Sequence, residues 1–444
     1  MKILTFSGGI HPQYFKDISI REPLRGAPLP DKVIIPLSQH IGAPGEPVVK
    51  KGDVVEEGQV LGRSESFISS PVHSPIYGTV LEVKKTIHPA LSAPTFSVIL
   101  ERDRSKEPRE YSACDADQLM PRELIDKVKD AGIVGMGGAA FPTHVKLDVP
   151  EGKKIETLII NGAECEPYLT CDHVLMTRKT GEILSGIALM VKILAPERVY
   201  IAIEDNKKAA LFAFQKALKK TTETALSRVE LALLKTKYPQ GGEKQLIKAI
   251  ANREVPPGGL PIDIGFLVQN VGTVNAIYEA VYFNKPLIER VVTISGDCMH
   301  RPGNYVVKIG TTIRDVVEKY GLEFSQSPKK IIAGGPMTGF AQPDLDVPIV
   351  KGTSGILFLS EHAAKEFKEE KCIKCAKCVD VCPVNLSPTE IMKNAQKDYW
   401  DKVKALYVDD CIECGACAYS CPARIPLVQY VKESKAVIAK ENKK

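Results

Sequence analysis

Two runs of four cysteines lie near the C-terminus and share one spacing. Cys372, Cys375, Cys378 and Cys382, followed by Pro383, read C-x2-C-x2-C-x3-C-P, and Cys411, Cys414, Cys417 and Cys421, followed by Pro422, repeat it. Three thiolates in one tight turn can cap three irons of a cube, and the proline ends the turn and sends the fourth thiolate away. In doubled runs of this kind the fourth cysteine of each run serves the other cluster. The spacing therefore predicts one [4Fe–4S] cluster on Cys372, Cys375, Cys378 and Cys421 and a second on Cys411, Cys414, Cys417 and Cys382. Structural zinc is the competing reading, but zinc usually pairs two separated C-x2-C knuckles. A segment that folds around two such clusters moves electrons.

The rest of the chain is far larger than a two-cluster segment needs: 444 residues leave room for about three or four domains. The balance of 59 basic against 54 acidic residues is too mild to argue for nucleic acid, and no basic run is interleaved with aromatics. No stretch approaches the ~18 uninterrupted apolar residues of a membrane span; Glu182 to Ala195 comes nearest and carries Glu182 and Lys192. The opening MKILTFSGGIHP lacks the apolar core of a secretion signal. Free thiolates call for a reducing compartment, so the expected setting is the cytoplasm, with any membrane link made through partners. Cys114, Cys165, Cys171 and Cys298 show no metal spacing and read as ordinary core or loop residues.

Local patterns divide the chain into five parts. Residues 1–30, rich in Gly and Pro, read as an extended arm. Residues 31–101 read as short strands: Pro47 to Gly62 alternates apolar residues around a Lys-Gly-Asp turn, and Ser70 to Val83 follows. This part resembles the β-sandwich of lipoyl and biotinyl carriers. The hairpin that would bear a carrier's lysine reads SESFISS (Ser64 to Ser70) and has none, so no lipoyl or biotin arm is expected. Over 102–286 helical patterns such as Pro121 to Gly132 and Asn206 to Thr221 alternate with the apolar runs Thr157 to Asn161, Arg198 to Glu204 and Val229 to Lys235. That alternation predicts a largely parallel sheet covered by helices. Residues 287–350 return to short strands around one helix, Thr312 to Tyr320, and read as a small β-grasp-like unit. Residues 351–444 are expected to be helical around the cysteine runs, with one connecting helix from about Pro388 to Leu406.

Four segments of the central part carry ligand-binding signals. Gly132 to Leu147 (GIVGMGGAAFPTHVKL) brings glycines that let a ligand approach the backbone, near a helix start that favours an anion, with Lys146 as a point charge. The strand Thr157 to Asn161 delivers NGAECEP at its carboxyl end, where open α/β sheets bind ligands; Glu164 and Glu166 lie there, the bland alternative being two solvated carboxylates. Tyr238 to Ile250 again puts glycines and Glu243 at a helix start, and Phe266 to Val281 places Gln269, Asn270 and Thr273 before an amphipathic helix.

In this order the four segments resemble the flavin-binding domain of the NADH-oxidising flavoprotein subunit of respiratory complex I. The sandwich-like front, the GGIHP opening (Gly8 to Pro12) and the doubled cluster motif narrow the resemblance, over nearly the whole chain, to the RnfC family of peripheral subunits of Rnf ferredoxin:NAD+ oxidoreductase complexes. The resemblance implies a multidomain α/β architecture: a lipoyl-like β-sandwich, a Rossmann-like FMN- and NADH-binding domain, a β-grasp-like SLBB unit and a C-terminal helical domain with two ferredoxin-type clusters. It implies non-covalent FMN, with NAD(H) as substrate. Gly135, Gly137 and Lys146 match the family's flavin-phosphate loop, and Asn161 and Glu164 its flavin-contacting loop. Asn270 and Thr273 match a later Asn/Thr pair, with Gln269 where an asparagine is usual. Phe141 and Glu166 match nucleotide-contacting positions and Glu243 a glutamate near flavin and nucleotide, so these three are the candidates for the reaction itself. Met136 replaces an arginine and Ala163 an aspartate of the family pattern.

The activity so implied is that of a peripheral electron-transfer subunit on the cytoplasmic face of the cell membrane. It would exchange hydride with NAD(H) through FMN and single electrons through the clusters, within an ion-translocating complex whose membrane subunits and ferredoxin-like subunit are its partners. Two other readings fit the same layout: a corrinoid (cobalamin) reductase of diol-utilising compartments, and a non-catalytic scaffold protein with a vestigial flavin site. Neighbouring genes would separate the first and a flavin assay the second.

Overall fold

The computed structural model describes residues 2–91, 93–116 and 118–441. Its centre is a four-stranded sheet in the order Val229–Leu234, Arg198–Glu204, Thr157–Gly162, Phe266–Asn270, every pair parallel. These runs are apolar on both faces because helices cover both faces of a parallel sheet; Leu158, Ile160, Val199, Ile201 and Ile203 are buried in a core shared with Thr180–Leu194 and Val271–Phe283. From Thr157–Gly162 the chain steps outward twice and then returns, so Phe266–Asn270 pairs with the other edge of the first strand. That reversal is a topological switch point, which opens a crevice at the carboxyl ends of the two strands. Asn161 and Asn270 are register partners there.

The front part forms two small sheets, one of Lys32–Pro36, Thr95–Arg102, Gly78–Thr86 and Val54–Val55, the other of Glu46–Pro47, Val60–Arg63 and Val72–His73. Val33, Ile35, Leu61, Val72, Val98 and Leu100 fill a single core between them, as the alternating pattern requires.

With the two front sheets counted together as one sandwich, the third sheet departs from the boundaries expected from sequence. Its six strands run in the order Leu24–Gly26, Gly303–Lys308, Glu289–Ser295, Gly355–Leu359, Lys330–Ala333, Phe340–Ala341. The strand Leu24–Gly26 comes from the segment read as an arm, and Gly355–Leu359 lies beyond the boundary placed at residue 350. Every residue of Gly355–Leu359 is buried, because it sits between two other strands. An apolar run this short does not say which sheet it will join.

The arm is woven into the body. Leu4 bridges Leu234, Ile10 bridges Tyr238, and Gly9 N donates to the Val381 carbonyl at 2.8 Å. Gly8 takes φ +74° and a Cβ there would stand 2.7 Å from the Cys382 carbonyl oxygen, so only glycine lets the arm pass the segment that bears the cysteine runs.

That segment has two matching halves. Each cysteine run is a loop leading into a one-turn helix, Lys377–Asp380 and Ala416–Tyr419. Lys374, Ala376 and Asn385 in the first half, and Glu413, Gly415 and Arg424 at the matching places in the second, all have positive φ. The expected single connecting helix is two, Pro388–Ala395 and Trp400–Ala405. The break falls at Asp398, which takes φ +54° and lets Trp400 and Val403 turn back onto Val408 and Val431. No helix among the described residues is long and apolar enough to cross a membrane.

Candidate functional site

A cleft of about 760 Å³ opens at the switch point. Its lining runs from Gly137, Asn161 and Asn270 past Glu164, Cys171 and Asp172 to Tyr238, Gly241 and Glu243, and reaches Ile412 and Cys414 of the second cysteine run.

The polar residues of the cleft are fixed by one another. Asn270 caps the helix Val271–Phe283 by accepting from Gly272 N at 2.7 Å, while its Nδ2 donates to Asp172 Oδ2 at 2.8 Å. Asn161 accepts from Ala163 N at 3.0 Å and donates to the Gly241 carbonyl at 2.9 Å, which ties the loop after the first strand to the loop before the helix Glu243–Ala251. Two helix starts, at Asn270 and at Gly242–Glu243, therefore stand at the cleft, and a helix N-terminus favours an anion. Gly137, at φ +127°, lies so close that a Cβ would stand 2.8 Å from Asn270 Nδ2. Its missing side chain leaves a cradle of backbone suited to a phosphate-bearing ligand.

Neither glutamate of NGAECEP is a solvated loop carboxylate. Glu164 is 6% exposed; its Oε1 accepts from Asp172 N at 2.9 Å and its Oε2 has no hydrogen-bond partner. Lys16 of the arm and Lys207 stand 4.0 and 3.8 Å from that orphan oxygen. Burial, then Lys207, holds Lys16 down to about 8. Burial, then the neighbouring Glu164, raises Asp172 to about 7. Glu166 turns to the third sheet, where its carboxylate accepts from Met337 N and Thr338 N, both at 3.0 Å, and from the Thr338 hydroxyl. Burial lifts its pKa above the ordinary value against the pull of those donors.

The residues singled out from sequence thus separate into two groups. Gly137, Asn161, Glu164, Glu166, Glu243 and Asn270 line the cleft; Gly135, Phe141, Lys146, Gln269 and Thr273 do not. Thr273 is fully buried and its Oγ1 accepts from Met136 N at 2.8 Å, so it braces the glycine loop from behind. Gln269 is buried against Thr143. Gly135 N bonds the Phe141 carbonyl, closing the base of that loop. Lys146 pairs with Glu243 at 2.8 Å, so two residues expected to act separately form one ion pair. Cys165 and Cys171, read as ordinary core or loop residues, line the cleft as neutral thiols whose pKa burial raises. Asp172 was not singled out: a lone aspartate in the first turn of a helix reads as a dipole partner, and only the Asn270 contact marks it.

The fourth cysteine of each run packs with cysteines of the other run. Cys382 lines one small cavity with Cys411, Cys414 and Cys417. Cys421 and Cys378 are buried in one cluster with Cys372 packed against it, and Cys375 is exposed beside them in sequence. Lys374 N and Glu413 N each donate to the sulfur of their run's first cysteine at 3.4 Å. Burial pushes the Cys414 and Cys417 thiols up to about 11 and 12, a cost that a coordinating cation would remove by holding the thiolate form. Tyr238 joins this domain to the cleft: its hydroxyl donates to the Cys414 carbonyl at 2.7 Å.

The chain matches four domain families. Residues 4–105 match the RnfC barrel sandwich hybrid domain, 128–279 the Nuo51 FMN-binding domain, 291–341 the SLBB domain and 371–425 a 4Fe-4S dicluster domain. The RnfC-type component of the proton-translocating ferredoxin:NAD(+) oxidoreductase complex of Clostridium ljungdahlii is 44% identical over 405 residues, 91% of this chain and 87% of that one. Its counterpart in the Na(+)-translocating complex of Acetobacterium woodii is 44% identical over 403 residues, 90% of this chain and 89% of that one. Among solved structures, a chain of NAD+-reducing [NiFe]-hydrogenase shares the fold with a TM-score of 0.51 at 19% identity, covering 71% of this chain and 62% of that one.

Proposed function

The chain belongs to the RnfC family, whose members are components of ion-translocating ferredoxin:NAD+ oxidoreductase complexes, and from that premise we propose that it carries electrons between NAD(H) bound in the switch-point cleft and the two iron–sulfur clusters of its C-terminal domain. The observation that carries this reading is that one cleft is lined both by the FMN-domain residues Asn161 and Asn270 and by the cluster ligand candidate Cys414. FMN, when bound, exchanges a hydride with a nicotinamide and single electrons with clusters. Gly137, Asn161, Asn270 and the start of Val271–Phe283 would hold it, because they offer backbone N–H groups, amide groups and a side-chain-free approach. Glu164, with a buried oxygen that has two lysines at ion-pair distance and no hydrogen-bond partner among the described residues, is a further polar partner for a ligand there. Glu243 and Glu166 lie on the same lining and are the candidates for meeting the nucleotide. Cys372, Cys375, Cys378 and Cys421 would hold one cluster and Cys411, Cys414, Cys417 and Cys382 the other, the second being nearer the cleft. In this reading the chain docks as a peripheral subunit on the cytoplasmic face of the membrane, against the membrane subunits and ferredoxin-like subunit of its complex.

The test is anaerobic purification followed by stepwise NADH addition, read in the visible spectrum. About eight irons and one non-covalent flavin per chain are expected, with the flavin band lost before the cluster absorbance falls. Protein stripped of flavin whose clusters are still reduced by NADH would overturn the route.

A further inference from the structure

The cleft is lined from outside the flavin-binding domain as well. Ile41 and Leu91 reach it from two loops of the barrel sandwich and Phe340 from an edge strand of the third sheet. They are 52%, 47% and 44% exposed. Large apolar side chains exposed singly need no explanation; three that converge on one concave site from separate units do. The segments that carry them are braced. His40, next to Ile41, accepts from Ser70 N at 3.0 Å, Gln39 accepts from Lys351 N at 2.9 Å, and Ala43 N donates to the Ile68 carbonyl at 3.0 Å. Gln342, just past the strand Phe340–Ala341, donates to the Pro89 carbonyl at 2.9 Å and so joins the Phe340 edge to the loop bearing Leu91. In that loop His88 is 8% exposed, and its Nε2 has no hydrogen-bond partner among the described residues. Phe141, the aromatic that the family pattern offers to the nucleotide, is not in the lining.

We infer that Ile41, Leu91 and Phe340 form the apolar wall that receives the adenine ring of the dinucleotide, with His88 available to its polar edge. This rests on the proposed use of NAD(H). A purine has two apolar faces and a hydrogen-bonding rim, and an aromatic or branched aliphatic side chain packs on such a face whatever the base. The backbone cradle and helix starts at the switch point suit phosphates, and they lie at Gly137 and Asn270, away from this wall in sequence and in domain. A cleft of about 760 Å³ lies in the upper part of the usual range for ligand pockets.

The experiment uses the purified, cofactor-loaded protein and two partial ligands measured by calorimetry: ADP-ribose, which carries the adenosine half, and nicotinamide mononucleotide, which lacks it. Ile41→Ser and Phe340→Ser are expected to weaken ADP-ribose about tenfold or more, leaving nicotinamide mononucleotide affinity and flavin content unchanged, with Phe340→Leu in between. Both positions are about half exposed, so folding is not at stake. Unchanged ADP-ribose affinity in both serine variants, or a loss confined to Phe141→Ala, overturns the wall and leaves the proposed function standing. Loss of flavin from the serine variants also overturns it, since the wall would then hold flavin. Wild-type protein that binds neither ADP-ribose nor NADH sinks the dinucleotide reading and the wall together.

Discussion

Asp172 sits on the lining of the cleft with Asn270 donating to its carboxylate and Glu164 accepting from its backbone N–H. Burial and Glu164 raise its pKa to about 7, while the Asn270 amide and then Arg290 and Lys16 pull the other way. The raised value makes a stability prediction whose sign is fixed by linkage. The folded protein keeps a proton that the unfolded chain gives up at its ordinary value, so between about pH 4 and 7 stability falls as pH rises, and the penalty is complete above that window. Asp172→Asn keeps an acceptor for Asn270 and removes the titration. Its melting temperature should gain on the wild type at about pH 8 and match it only at about pH 4 and below. Parallel curves for the two proteins would mean that Asp172 is ionised throughout. Such residues were not legible beforehand because nothing local marks them. Asn161, Glu164 and Asn270 announced themselves by standing at strand ends, whereas Asp172 acquires its role from a partner nearly a hundred positions away.

At the scale of elements, the cluster domain was the most legible part of the chain. The cysteine spacing dictates a loop and a one-turn helix in each half, and both halves adopt the same left-handed turns. The pairing of halves follows from the short helices packing side by side, which brings Cys421 to Cys378 and Cys382 to Cys411. Crossed ligation predicts that Cys421→Ala depletes the cluster of Cys372, Cys375 and Cys378 and spares the one nearer the cleft. Iron analysis with low-temperature paramagnetic resonance would show about four irons and one cluster signal remaining; loss of the other signal instead would reverse the pairing. The connecting region was less legible. Helical propensity favours one helix from Pro388 to Leu406, yet the chain turns at Asp398, because Trp400 and Val403 bury only if it does. Tertiary burial outweighs the propensity of a few residues.

Over the whole molecule the parts interlock more than their sequence boundaries imply. Lys351 shows how. It is fully buried, its ammonium donates to the carbonyls of Pro71 in the sandwich and Gly132 in the flavin-binding domain at 2.7 Å each, and its own carbonyl accepts from Arg290. Burial drags it down to about 7. Lys351→Ala should leave both without a donor, at roughly 1–3 kcal/mol each. A lower melting temperature and faster proteolysis between the sandwich and the central domain are expected; unchanged values for both would show that the junction is carried elsewhere.

Local patterns along the chain were enough for the dicluster segment, the parallel sheet and the two-sheet front, since spacing and periodicity report on neighbours within a turn or a strand. They could not show that Gly355–Leu359 enters the third sheet, that Lys146 directs its charge to Glu243, or that the sandwich and the third sheet share the cleft with the flavin-binding domain. Those contacts join residues far apart in the chain, and their energy comes from burial and charge pairing that exist only once the units have packed.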